Sequence, residues 1–390
     1  MLKKIALYIG HFLAVGLFLL VIAILIVVSQ NGSISYGDNP LANKVDGEGP
    51  FVFFTKDQLE TIYIKGNREQ GFSIERQYHP IDRTVSAEVT FHGDDSAFQF
   101  DLVADIESPP SIYDDGQPIV AISDLEGNYK ALRDFLIANN VIDENLAWVF
   151  NKGHLVLVGD LVDRGDSTTQ LLWFVYKLEQ EAAKVGGQVH YIIGNHEIKN
   201  MQGNFRSAAN KYIPIAGMIG KSQADLFAND ALIGRWLGSK NSVEMINGYI
   251  FVHGGIHPDV TDKGWRLTDI NEVVRKYYRQ FYYPGLTNQE EALLVSDKTG
   301  PAWYRGYFQE DISQTQIDAI LKKFDAKALV VGHTIQFSVN AQFANKLFAI
   351  DVKHPDDYRS SFPTKYSEGL LIQNGEHYRL MSDGEREQLD

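Results

Sequence analysis

The sequence predicts an α/β protein carried behind a membrane-spanning segment and a small β-rich region. From about residue 117, short apolar runs alternate with amphipathic stretches, the pattern of βαβ units. Between residues 50 and 110, short runs rich in aromatic and β-branched side chains alternate with turns. Residues 5–28 carry no Lys, Arg, Asp or Glu. The chain has 390 residues, enough for one large or two moderate domains, and 44% of them are hydrophobic, enough for a substantial core. Fifty acidic residues stand against 36 basic ones, a net charge of −14, so neither nucleic acid nor anionic lipid is an expected non-specific partner. Cysteine is absent, which closes disulfides, thiolate metal sites and thiol nucleophiles together.

Lys3 and Lys4 precede the uncharged run of 24 residues, which as a helix would extend about 36 Å at ~1.5 Å per residue. A hydrocarbon core of about 30 Å needs roughly 20 apolar residues, whereas the apolar part of a cleavable signal has about 7–15. Residues 1–30 are therefore read as a retained anchor; the alternative is a secreted, periplasmic chain cleaved at the weak Val27-Val28-Ser29 site. The lysines hold the N-terminus in the cytoplasm and send the remainder across. For a bacterial protein this means a single-pass inner-membrane protein with its catalytic part in the periplasm. His11 is read as a tolerated residue within the span.

Residues 31–49, rich in Asn, Gly, Ser and Asp, read as a tether. Residues 50–110 read as a small antiparallel accessory region, with strands over 51–54, 61–64, 86–91 and 97–102. Pro109-Pro110 and Asp114-Asp115-Gly116 mark a boundary, and residues 117–380 form the main domain. There, strands are expected at 119–122, 154–158, 189–193, 249–252, 328–331, 347–350 and 369–372, with helices over 129–139 and 167–184. The alternation predicts a core of largely parallel strands covered by helices.

Chemistry gathers where these strands end. The first runs into Ser123-Asp124-Leu125-Glu126-Gly127-Asn128 and the second into Gly159-Asp160-Leu161-Val162-Asp163-Arg164-Gly165. The third runs into Gly194-Asn195-His196-Glu197, and two later strands into His253-Gly254-Gly255 and Gly332-His333-Thr334. Carboxyl ends of strands in an α/β sheet line the ligand crevice, so these segments should converge. Carboxylate, amide oxygen and imidazole together suit Mn, Fe, Zn or Mg. Paired divalent ions can activate water for phosphoryl displacement; Asp160 is the candidate bridge between them.

This series, with 36 residues from Asp124 to Asp160 and 35 from Asp160 to Asn195, resembles the calcineurin-like metallophosphoesterase superfamily. Its Asp-Arg-Gly and Asn-His-Glu endings look most like the phosphoprotein phosphatase branch, in its bacterial type. The resemblance spans about residues 119–374. It implies a β-sandwich core with flanking helices. It also implies two divalent ions, manganese foremost with Fe, Zn or Mg as alternatives, and direct attack of a metal-bridging hydroxide on a phosphomonoester. One ion would take Asp124, Glu126 and Asp160; the other would take Asp160, Asn195, His253 and His333. His196 matches the general acid, held by Asp163; Arg164 matches a phosphate-clamping arginine, and Arg305 is the candidate for a second. Glu126 departs from the family's Asp-x-His: a third carboxylate there would favour harder ions and make the bound water less acidic.

The expected substrate is a phosphorylated peptide or small molecule, phospho-Ser, Thr or Tyr of proteins by the branch resemblance. A phosphodiesterase or pyrophosphohydrolase acting on nucleotides or lipid headgroups is the alternative within hydrolases. A non-catalytic, metal-holding interaction module is the alternative outside them. His190 on the third strand is read as structural, His257 and Asp351 are left outside the site, and Tyr277, Tyr278, Phe281, Tyr282 and Tyr283 are read mainly as packing.

Overall fold

The computed structural model describes residues 2–30, 32, 34–36, 46–281, 289–309, 312–362 and 366–389. Parts of the expected tether, together with Tyr282 and Tyr283, lie outside the described residues. Two six-stranded sheets face each other. One runs in the order Gln188–Tyr191, His154–Leu157, Ile119–Ile122, Glu368–Gln373, Glu376–Met381, Arg386–Gln388. The other runs Asn340–Gln342, Leu347–Ala349, Ala328–Val331, Tyr249–Val252, Val243–Ile246, Ile112–Tyr113.

The side-chain period of two explains the layering. Ile119, Ala121, Val156, Phe251, Val330, Phe348 and Leu370 point between the sheets and form one buried cluster. Their neighbours Val120, Ile122, Leu155 and Leu157 point the other way, into a larger cluster shared with helices Tyr129–Ala138 and Thr168–Val185. Strands covered on both faces read as unbroken apolar runs, and these do.

The expectation of largely parallel strands needs correcting. The three strands leading to Asp124, Asp160 and Asn195 are mutually parallel, as are Tyr249–Val252, Ala328–Val331 and Leu347–Ala349. The ladders of Glu368–Gln373 with both its neighbours, and of Val243–Ile246 with Tyr249–Val252, are antiparallel. For two of these three ladders the physical reason is local: Asn247-Gly248 and Asn374-Gly375 all have positive φ, between 52° and 87°. That is the backbone of a two-residue hairpin, which needs no crossover helix.

Ahead of the sandwich, Glu48–Phe54, Gln58–Asn67 and Gly71–Pro80 form a three-stranded antiparallel sheet, and Val85–Phe91 pairs with Ser96–Leu102. The strand Gly71–Pro80 was not expected from the sequence. Most of its side chains are exposed, so it lacks the apolar alternation that betrays a strand. This region is fastened to the sandwich. Phe100 stacks on Trp173 at 4.9 Å, and the Trp173 indole N–H donates to the Pro50 carbonyl at 2.9 Å. Phe51, Phe53, Ile62 and Ile64 pack on Ala209, Tyr212, Ile215 and Ile219, beside a buried Glu48–Lys211 ion pair of 3.1 Å. The helix Leu2–Ser29 stands apart, and within it Lys3–Ser29 is long and apolar enough to cross a membrane.

Candidate metal centre

The motif segments meet at one edge of the sandwich, on tight turns. Asp124, Glu126, Asp160, Asp163, Arg164 and His333 all have φ between 49° and 72°, a conformation that costs energy in residues with a Cβ and recurs at functional sites. Glycines make room: a Cβ on Gly194 would lie 2.3 Å from Asp160 Oδ1, and one on Gly332 would lie 2.5 Å from Asp124 Oδ2.

Asp160, His253 and His333 are buried with ligand atoms within 4.8 Å of one another. Between them, one terminal atom of the Asn195 amide lies 3.1 Å from Asp160 Oδ2, 3.2 Å from His253 Nε2 and 2.9 Å from His333 Nδ1; as an NH2 it donates to these acceptors, and with a cation among them it would turn its oxygen there. Adjacent ligands of an ion with ~2.1 Å bonds at right angles stand about 3.0 Å apart. Acceptors crowded at that spacing fit a divalent cation. The imidazole tautomers agree: His253 Nδ1 is directed at the Val158 carbonyl at 2.7 Å and His333 Nε2 at the Trp303 carbonyl at 3.0 Å, leaving Nε2 and Nδ1 respectively for an ion.

The electrostatics describe a site short of positive charge. Burial would push Asp160 up, but His253 above all, with His196, holds it well below the usual carboxylate range. Burial would push His253 down, yet Asp160 and Asp124 draw it up to about 10. In the absence of a cation, a proton on His253 stands in for one. His333 is pushed down to about 2 by burial, His253 and Arg305, so it is a neutral imidazole. Asp124 is pushed up to about 6, chiefly by burial and against the pull of His253. Its Oδ2 accepts from the His333 backbone N–H at 3.1 Å.

His196 sits beside this cluster. Its Nδ1 pairs with Asp163 Oδ2 at 2.7 Å, and its Nε2 lies 3.8 Å from Asp160 Oδ2. Asp163 is itself held by the Asn200 amide, which donates to Oδ1 at 2.7 Å. On the rim, Arg305 Nη1 donates to the His333 carbonyl, and to Thr334 Oγ1 at 3.2 Å. Arg164, half out in solvent, pairs with Glu126 Oε1, while the other Glu126 oxygen faces Lys353 Nζ at 3.9 Å. Glu126 is thus shared between two cations, and any ligation through it competes with Arg164.

Three further residues belong to the neighbourhood. Glu197 Oε2 accepts from the backbone N–H groups of Asp160 (3.0 Å) and Gly194 (2.9 Å), and Oε1 from Leu161 (2.8 Å), fixing the turn that presents Asp160. It stood in the Asn-His-Glu motif, without a role. Asp351 is buried, and burial with Asp124 close by raises it well above the usual carboxylate range. Lys199 lies one helical turn past His196, its Nζ 3.4 Å from His196 Nε2. An i, i+3 spacing within Asn195–Met201 was the available signal. His190 is confirmed as structural, bonded to Glu244 at 2.7 Å and His154 at 2.9 Å.

Two packed sheets with carboxylates, imidazoles and arginines gathered at one edge define a phosphoesterase that uses metal. Residues 117–337 match the calcineurin-like phosphoesterase family, and the chain belongs to it. A cold-active protein-tyrosine phosphatase of a psychrophilic Shewanella species superposes with a TM-score of 0.78 at 30% identity, over 89% of this chain and 100% of that one. Shewanella-like protein phosphatase 2 of Arabidopsis thaliana is 26% identical over 285 residues, 60% of this chain and 70% of the relative. Shewanella-like protein phosphatase 1 of Plasmodium berghei is 30% identical over 254 residues, 60% of this chain and 66% of the relative. The family implies divalent metal ions, and the donor set fits them.

Proposed function

We propose that this chain is a membrane-anchored phosphatase that hydrolyses phosphomonoesters of proteins, phospho-Ser, Thr or Tyr, with two divalent ions of which manganese is the first choice. The observation that carries the reading is the buried convergence of Asp160, His253 and His333 ligand atoms around the Asn195 amide, next to the His196–Asp163 pair. Asp160, Asn195, His253 and His333 would hold one ion; Asp124 and Glu126, with Asp160 shared, would hold the other. Bound there, the ions would offset phosphate charge and acidify water. Water attacks phosphorus in line with the ester oxygen, and no phospho-enzyme forms. Arg164 and Arg305 neutralise the non-bridging oxygens. As the P–O bond breaks, His196 Nε2 gives its proton to the leaving oxygen, while Asp163 steadies the imidazolium through Nδ1. Residues 117–380 would be the catalytic domain, residues 50–110 its accessory region, and the Lys3/Lys4 end would stay in the cytoplasm with catalysis outside.

The test is hydrolysis of p-nitrophenyl phosphate by the detergent-solubilised full chain, freed of metal and then supplied with Mn, Mg, Zn or Fe, beside Asp160→Asn. Metal-dependent turnover in the wild type and none in the variant is expected. Phosphopeptides should be turned over in preference to phosphodiesters and dinucleoside polyphosphates; the reverse preference would replace the proposed substrate class.

A further inference from the structure

A cleft of about 230 Å³ is walled by Ile198, Lys199, Tyr277, Phe281, Leu294 and Trp303, and it adjoins the metal centre through Lys199, whose Nζ reaches His196. The aromatic walls come partly from the 277–281 cluster, of which Tyr278 is fully buried while Phe281 is half exposed. Packing therefore accounts for Tyr278 but not for Phe281. The Lys199 ammonium sits 5.3 Å from the centre of the Trp303 ring. Its Nζ also lies 2.9 Å from a terminal atom of the Asn195 amide and 3.4 Å from His196 Nε2. A leaving oxygen placed to take a proton from His196 Nε2 therefore lies within reach of the Lys199 ammonium, beside an aromatic-walled cleft.

We propose that this cleft is the leaving-group subsite, that it receives an aryl group against Trp303, and that Lys199 Nζ donates a hydrogen bond to the departing ester oxygen. The assignment rests on the phosphatase reading above and adds a residue to it. As the P–O bond breaks, its electron pair goes to the leaving oxygen, the proton comes from His196 Nε2, and Lys199 keeps its own proton throughout. A cation held where negative charge develops stabilises the transition state more than the bound ester.

The experiment compares wild type, Lys199→Gln, Lys199→Arg and Trp303→Leu, each full-length and metal-loaded, on aryl phosphates of graded leaving-group acidity and on glycerol phosphate. In Lys199→Gln, kcat/KM for phenyl phosphate should fall by about 30-fold and for p-nitrophenyl phosphate by only about 3-fold, so dependence on leaving-group acidity steepens. Lys199→Arg should recover part of the loss. Trp303→Leu should raise KM for aryl esters several-fold and weaken product inhibition by phenol, with a smaller rise in KM for glycerol phosphate. Equal losses on every ester in Lys199→Gln, with the dependence unaltered, would overturn the proposal while leaving the phosphatase reading intact. A folded wild type that hydrolyses none of the esters would overturn both.

Discussion

The same strands carry two buried clusters of histidine and carboxylate, and the two behave differently. His154 opens the strand that leads to Asp160, and His190 lies on the strand that leads to Asn195. At that end the groups form a closed line: Asp115 to His154 Nε2 at 2.9 Å, His154 Nδ1 to His190 Nε2 at 2.9 Å, His190 Nδ1 to Glu244 at 2.7 Å. The Asn241 amide then donates to the remaining Glu244 oxygen at 2.9 Å. Every ring nitrogen is matched with a partner. At the other end, Asp160, His253 and His333 turn ligand atoms towards one another around the Asn195 amide, and a borrowed proton on His253 relieves the crowding. Residue type therefore does not mark the site; a deficit of positive charge does.

Exchanging the roles of the two clusters is the strongest way to break this comparison. Asp160→Asn is expected to lower turnover by about 10³-fold or more while the fold persists, measured as p-nitrophenyl phosphate hydrolysis beside circular dichroism. Chelation of the wild type should match that loss, and re-addition of metal should reverse it. Glu244→Ala should do the opposite. It leaves His190 buried without its acceptor, costing about 3 kcal/mol in denaturant unfolding, with turnover per folded molecule within about twofold of wild type.

The clusters should also differ in sign with pH once metal is removed. His253 has its folded pKa drawn up to about 10, above the ordinary value near 6.5. Its contribution is full below about pH 6.5 and is lost as pH rises through 10, on the order of 5 kcal/mol. His154 is shifted the other way, chiefly by burial. Its contribution is present above about pH 6.5 and is lost as pH falls below that value. Urea unfolding of metal-free His253→Gln should lose the alkaline decline, and metal affinity of the wild type should strengthen from pH 7 to 9 as that proton becomes easier to displace. The smallest expected effect is at Glu126. Glu126→Gln weakens the hold on Arg164 and should change KM for p-nitrophenyl phosphate by about threefold, read from saturation curves.

Much of this was legible in the sequence, because the site residues sit at strand ends where a short motif fixes both chain direction and side chain. Asp160 and His253 are examples: an apolar run of four, then a ligand within two residues. What escaped notice was of two kinds. The hairpins were readable from Asn247-Gly248 and Asn374-Gly375, but the strand–helix alternation around Asp124 to Asn195 outweighed them. Contacts between distant segments left no local trace. Nothing near Glu126 announces Arg164 and Lys353, and nothing near Asp351 announces Asp124. Lys199 falls between these cases, its helical spacing from His196 visible and its seat above Trp303 not.

One of the two similar clusters is proposed as the seat of the divalent ions. Metal content of the purified full-length chain, after equilibration with manganese and removal of loose ions, tests it directly. The account predicts two ions per chain in the wild type and in Glu244→Ala, and fewer than one in Asp160→Asn. Equal metal content in the wild type and Asp160→Asn, or a loss confined to Glu244→Ala, would contradict it.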